Sequence, residues 1–159
     1  MGDLSRIAAE ILLSLQPVLA GAQVQPPPMM AVEPRVLQMQ ACGRPCRVLA
    51  WYAPHGTIYI DNRLDIETRM EHRSIVVHEL VHHIQRARFG SAAKDCDDWL
   101  MREREAYLAQ ARWLRSKGLG SGNIGLQVRM LRCAPQHAAG DVPTPLDTGS
   151  AETLTTHSN

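Results

Sequence analysis

His78-Glu79-Leu80-Val81-His82-His83 is the stretch on which the reading of this chain turns. It contains the pattern H-E-x-x-H, in which one helix turns two imidazoles toward a metal ion and a glutamate toward a water beside it. Residues four apart on a helix stand almost above one another, so His78 and His82 aim at a common point. Glu79 lies about 100° further round, placed for a water and not for the metal itself. The pattern therefore predicts a helix and two candidate metal ligands.

The residues around it support the helix. Ile75-Val76-Val77 would suit a strand by propensity, but the longer series Val77, Leu80, Val81 and Ile84 has helical spacing. Ser74 is a candidate cap or early residue of that helix, and Asp65 a candidate cap for a short helical lead-in. Phe89-Gly90 is a stop, with glycine suited to the left-handed position and Arg86 and Arg88 favoured in the last turn. The histidines border the apolar stripe, as suits the floor of a cleft.

A catalytic zinc site takes three protein ligands and one open position. Continuation as H-x-x-G-x-x-H is excluded, because Gln85 and Arg88 stand where the glycine and the third histidine would be. The remaining route is a carboxylate on a following helix. Trp99 to Gln110, started near Asp97 or Asp98, reads as such a helix and carries Glu103 and Glu105.

His78-Glu79-Leu80-Val81-His82 followed by Glu103-Arg104-Glu105-Ala106-Tyr107 resembles the gluzincins, zinc metallopeptidases with His, His and Glu ligands. The likeness is to small bacterial members with a minimal hairpin and two-helix core, and it covers about residues 47 to 115. Their second helix often reads Glu-x-x-Ala/Ser-Asp, the first Glu binding metal. The resemblance implies His78, His82 and Glu103 as ligands of one Zn²⁺ ion and Glu79 as catalytic base. The chain departs from that pattern at Tyr107, which occupies the Asp place. An aspartate would orient a histidine, whereas Tyr107 could do so only through its hydroxyl oxygen.

The residues themselves favour Glu103 without closing the question. Trp99, Glu103, Ala106, Tyr107, Gln110 and Leu114 share one helical face, and small Ala106 allows close approach of the first helix. Glu105 shares its face with Met101, Leu108 and Arg112 and stays as the alternative metal ligand. Either carboxylate could instead pair with arginines on a solvated face. Tyr107 and His83 are the candidates for orienting a ligand or stabilising the transition state, with Tyr52 and Tyr59 also in reach of that second role.

Outward from this core the signals are weaker. Arg47 to Tyr52 and Thr57 to Ile60 read as a β-hairpin turning at Ala53-Pro54-His55-Gly56, within a stretch from Pro34 to Asn62 that we read as strands. Such a hairpin could offer an edge to an extended peptide, or simply cover the core. Met1 to Val24 reads as an amphipathic helix in preference to a signal peptide, since Asp3, Glu10 and Gln16 break the export pattern. Pro26-Pro27-Pro28 is a stiff extended break. Gln127 to Cys133 is a candidate last helix, and the Pro-, Gly-, Ser- and Thr-rich chain beyond Pro135 is expected to be disordered. Cys42, Cys46, Cys96 and Cys133 permit disulfides, for example Cys96 to Cys42 or Cys46, or free thiols in a reducing compartment.

Composition bounds the rest. A chain of 159 residues with 17 Lys+Arg against 16 Asp+Glu has one modest core and no basic stripe for nucleic acid. No apolar run is long enough to cross a bilayer. The expected architecture is α+β, a minimal zincin-like core with a β-hairpin or small sheet packed on the H-E-x-x-H helix and a second, Glu-bearing helix. Its parts are an N-terminal helix and Pro-rich segment (1–33), a metallopeptidase domain (34–134) and a tail (135–159). The expected function is that of a zinc metalloendopeptidase, a hydrolase acting on a peptide or protein substrate. The alternatives are a non-catalytic zinc-stabilised binding domain and a latent regulatory peptidase. Cytoplasm and export to the cell envelope both stay open as locations.

Overall fold

The computed structural model describes residues 3–15 and 24–133. These residues form five helices and a three-stranded sheet, a mixed α+β fold: α1 (Leu4–Ser14), β1 (Met29–Val32), α2 (Pro34–Cys42), β2 (Ala50–Tyr52), β3 (Ile58–Asp61), α3 (Met70–Phe89), α4 (Cys96–Ser116) and α5 (Ile124–Met130). The sheet order is β1-β3-β2. Strands β2 and β3 form the expected antiparallel hairpin, with Trp51 opposite Tyr59. Strand β1 adds a parallel partner on the other side of β3, Met30 opposite Tyr59.

Two features depart from the sequence reading. Pro34 to Cys42 is helix and not strand. Pro34 stands in the first turn, where its missing N–H costs nothing, and Gly43 closes the helix in the left-handed conformation at φ 66°. The Pro-rich break, in turn, runs on into a strand: Pro28 O accepts from Ile58 N–H at 2.9 Å and leads β1 into the sheet. A proline-rich approach hid this strand because its own pattern is only four residues long. Helix α1 ends at Ser14 with Leu15 as its C-cap, short of the expected end at Val24, which is not helical; residues 16–23 and the C-terminal tail from 134 onward lie outside the described residues.

Helix α3 is the central element. Val76, Val77, Leu80, Val81 and Ile84 are fully buried against the sheet, α1 and α4. Four of them, Val77, Leu80, Val81 and Ile84, are the series whose spacing favoured helix over strand, and their burial supplies the tertiary reason for it. The helix starts earlier than Ser74, which lies inside it and donates Oγ to Glu71 O while accepting from Gln110 Nε2. It ends at Gly90, φ 71°, whose N–H bonds Arg86 O at 2.8 Å.

Helix α4 lies along α3, with Trp99, Ala106, Trp113 and Leu114 in the shared core. Its N-cap is Asp95, two residues before the first candidate considered; the carboxylate accepts from Asp98 N–H at 2.9 Å. From the opposite side α1 contributes Ile7, Ala8, Ile11 and Leu12 to the same core. Its N-cap is Asp3, and Trp113 Nε1 donates to Ser14 Oγ across 3.0 Å. No helix among the described residues is long and apolar enough to cross a membrane.

The cysteines pair as Cys42–Cys46 and Cys96–Cys133. The link from Cys96 to Cys42 or Cys46, one of the pairings that the sequence permitted, is not formed. Cys133 follows α5, which packs on α4, and so comes within reach of the first residue of α4. Cys42 and Cys46 are left to close their own short loop.

Candidate metal centre

The histidines at 78 and 82 and the carboxylate at 103 converge. His82 Nε2 lies 3.1 Å from His78 Nε2 and 3.1 Å from Glu103 Oε1, and His78 Nε2 lies 3.3 Å from Glu103 Oε2. Ligand atoms about 2.0–2.1 Å from a tetrahedral ion stand about 3.3–3.4 Å apart, so this triangle is near the size such an ion needs. The three residues form a group that could hold a metal ion. Among the described residues it is the only such group of three or more His, Cys, Asp or Glu side chains.

The local reasons are visible in the two helices. The four-residue step on α3 stacks the imidazoles, with ring centroids 4.8 Å apart. Ala106 is fully buried between Glu103 and Tyr107 on α4 and lets the helices approach. Burial by itself would raise the Glu103 carboxyl, but His82 and His78 outweigh it and hold the group well below its ordinary range. Burial likewise would lower His82, and the Glu103 carboxylate instead lifts it to about 9.

Glu105 is elsewhere. It pairs with Arg88 of α3 at 2.7 Å and accepts from Gln85 Nε2 at 2.9 Å, a pairing between helices and not the pairing along its own helix that was the alternative for either carboxylate. Its contact with Gln85 matters more. Gln85, 1 % exposed, donates Nε2 to Arg102 O and to Glu105 Oε2, two atoms that can only accept. Its Oε1 must then face His82 Nδ1, at 2.9 Å, and accept the proton there. With Nδ1 committed to Gln85, His82 offers Nε2 to a metal. The sequence reading noticed Gln85 only as a residue where a glycine would have been. Its position three residues after His82, on the same helical face, was the available signal.

His78 has no equivalent support. Its Nδ1 is buried without a hydrogen-bond partner among the described residues, and the Tyr107 ring packs edge-on against it at 4.4 Å between centroids. Tyr107 thus contacts the histidine through its ring and does not hold it through the hydroxyl. His83 turns away from the group: its Nδ1 meets Tyr52 Oη at 3.1 Å and its Nε2 meets Gln25 O at 2.9 Å. It clamps the chain ahead of β1 to the hairpin.

Glu79 stands beside the group, its Oε2 accepting from Tyr52 N–H at 2.8 Å. That contact reports which way β2 faces. Ala53 N–H bonds Thr57 O and Asp61 N–H bonds Leu49 O, so the alternation of an antiparallel ladder points Trp51 inward to β3 and Ala50 and Tyr52 outward. The outward side is the free edge of the sheet among the described residues.

A cavity of about 340 Å³ opens over these residues. His78, Glu79, His82 and Glu103 form its floor, β2 one wall, and Ser91 to Ala93 with Trp99 the other. Tyr107 is only 5 % exposed and lines the cavity. Arg102 pins the second wall, pairing with Asp98 at 2.9 Å and donating to Ser91 O at 2.8 Å. Its lining includes Cys42, of the first disulfide, and Leu131, two residues before Cys133 of the second. No described residue of the stretch 1–33 lines it.

Comparison with protein-family models, with curated proteins and with solved structures gave no match. The class of the site therefore has to be argued from its donor set and surroundings.

Proposed function

We propose that this chain is a zinc-dependent metallopeptidase with a minimal, gluzincin-like core. The observation that carries the reading is the convergence of two imidazoles and one carboxylate at the floor of an open cavity, with Glu79 beside them. Two nitrogen ligands, one oxygen ligand and an open side are the donor set of a catalytic zinc site. A site kept for folding alone would close its fourth position, whereas this one faces a cavity.

His78, His82 and Glu103 would hold the ion, which supplies a Lewis acid that polarises a carbonyl and acidifies water. Glu79 accepts the proton of the attacking water through the oxygen that Tyr52 N–H leaves free, and delivers it to the departing amine. The outward backbone of β2, apart from the Tyr52 N–H that Glu79 holds, gives an extended peptide an edge to pair with, which sets the scissile carbonyl over the floor. Tyr107 donates to the developing oxyanion. Tyr52 and Tyr59 have their hydroxyls engaged by His83 and His55, and His83 is itself spoken for at both nitrogens. The Tyr107 hydroxyl has no hydrogen-bond partner among the described residues and lies on the cavity wall. Burial first, then the Glu103 and Glu79 carboxylates, push it up, so it stays a donor.

Two disulfides favour an oxidising compartment, and with it the exported location. The direct test is metal analysis and peptide hydrolysis on the wild type beside Glu79→Gln, Glu103→Ala and Glu105→Ala. One zinc per chain is expected in the wild type, in Glu79→Gln without turnover, and in Glu105→Ala; Glu103→Ala should lose it. A wild type without stoichiometric zinc ends the proposal.

A further inference from the structure

The cavity has an uneven charge. Among the described residues its carboxylates are Glu79 and Glu103, and both are engaged at the floor by Tyr52 N–H and by the histidines. Three arginines line it: Arg47 has an interaction of its own, and Arg102 is neutralised by Asp98 and turned onto loop carbonyls. Arg86 is different. It lines the cavity and is exposed, and no carboxylate of the described residues pairs with it. Its one hydrogen bond among the described residues is from Nη1 to Pro54 O, at 3.3 Å.

Its place on the helix aims that charge. His78, His82 and Arg86 follow at four-residue steps, so the guanidinium leaves α3 from the metal-facing side, one turn beyond His82. Pro54 lies two residues past Tyr52, the residue whose N–H holds Glu79. Two residues of extended chain span about 7 Å. A peptide running along the outward edge of β2, with a carbonyl over the floor, would thus bring a side chain one or two residues away under Arg86.

We infer that the site takes acidic peptides, an Asp or Glu within two residues of the scissile bond being received by the Arg86 guanidinium. Arg86 offers a planar fork that a carboxylate matches with two parallel hydrogen bonds, and the unopposed charge draws anionic chains into the cleft. The inference rests on the proposed peptidase reading for its choice of ligand, but its test does not require turnover.

The experiment uses zinc-loaded full-length Glu79→Gln protein and three labelled peptides of equal length, rich in alanine, with glutamates flanking the centre, or with lysines there. Fluorescence anisotropy should show the glutamate peptide binding about fivefold or more tighter than the alanine peptide, the advantage shrinking as salt is added. Arg86→Gln keeps a donor for the Pro54 carbonyl and removes the charge; it should erase the preference with the melting temperature unchanged. Arg86→Glu should turn it toward the lysine peptide. Equal binding of the three peptides, no measurable binding of any, or a preference that survives Arg86→Glu would overturn the inference. Acidic preference in a wild type that cleaves nothing would uphold it and end the peptidase reading. Turnover without acidic preference would do the reverse.

Discussion

Gln85 Oε1 lies 2.9 Å from His82 Nδ1 because both amide hydrogens of Gln85 are claimed by helix α4, at Arg102 O and Glu105 Oε2. One buried amide thereby connects the carboxylate that is not in the metal group to a histidine that is. Partners of this kind set the tautomer and orientation of a ligating imidazole.

Gln85→Met keeps the volume and removes the acceptor. Zinc affinity, read by competition with a chelator, should fall about 10- to 100-fold. Glu105→Ala should weaken zinc by less, since Arg102 O still fixes the amide. An unchanged zinc affinity in Gln85→Met would show that His82 needs no such partner.

The pair His82 and Glu103 predicts opposite pH trends without and with metal. In the metal-free protein His82 is raised to about 9 by Glu103 against the effect of burial. A histidine raised from about 6.5 stabilises the fold fully below that value and loses the contribution as pH rises through about 9. Zinc needs the Nε2 position free of its proton, so its affinity should climb about tenfold per pH unit over the same window. The zinc-induced rise in melting temperature should therefore grow from pH 6.5 toward pH 9. A rise that shrinks as the pH goes up would contradict the arrangement.

Tyr107→Phe separates chemistry from packing. The ring that covers His78 remains, so zinc content and melting temperature should hold, while kcat drops about 10²- to 10³-fold with little change in KM. A phosphinic peptide, which carries the oxyanion in its ground state, should bind more weakly by a comparable factor. Loss of zinc in this variant would assign Tyr107 to holding the ligand instead.

The two disulfides should differ in worth. Cys96–Cys133 spans 37 residues and Cys42–Cys46 spans 4. Loop-closure entropy gives about 4 kcal/mol for the longer and about 2 kcal/mol for the shorter. Denaturant unfolding of Cys96→Ser/Cys133→Ser beside Cys42→Ser/Cys46→Ser measures both. The longer link also holds the segment bearing Leu131 at the cavity, so its loss should raise KM as well.

Much of the centre was legible because its rules are local. The four-residue step from His78 to His82, the apolar series through Ile84 and the stop at Gly90 all concern residues within a few turns of one helix. The hairpin was legible for the same reason, its turn residues and its β-branched runs being neighbours in the chain. Pro34 to Cys42 was misread as strand because nine residues with one buried side chain, Leu37, carry little periodicity. Strand β1 was missed because a parallel pairing with β3 leaves no turn between the two to betray it.

By itself, then, the sequence determined the helix that carries two histidines and a glutamate, and offered Glu103 and Glu105 on a later helix as candidate partners for them. Only the tertiary structure decided between Glu103 and Glu105, since they lie about 200° apart round α4 and the packing of α4 on α3 selects which one faces the histidines. The same packing recruited Gln85, left His78 Nδ1 without a partner among the described residues and brought Cys133 to Cys96. Spacing along one helix is set by the backbone, whereas the meeting of side chains from two helices depends on how their buried faces fit together.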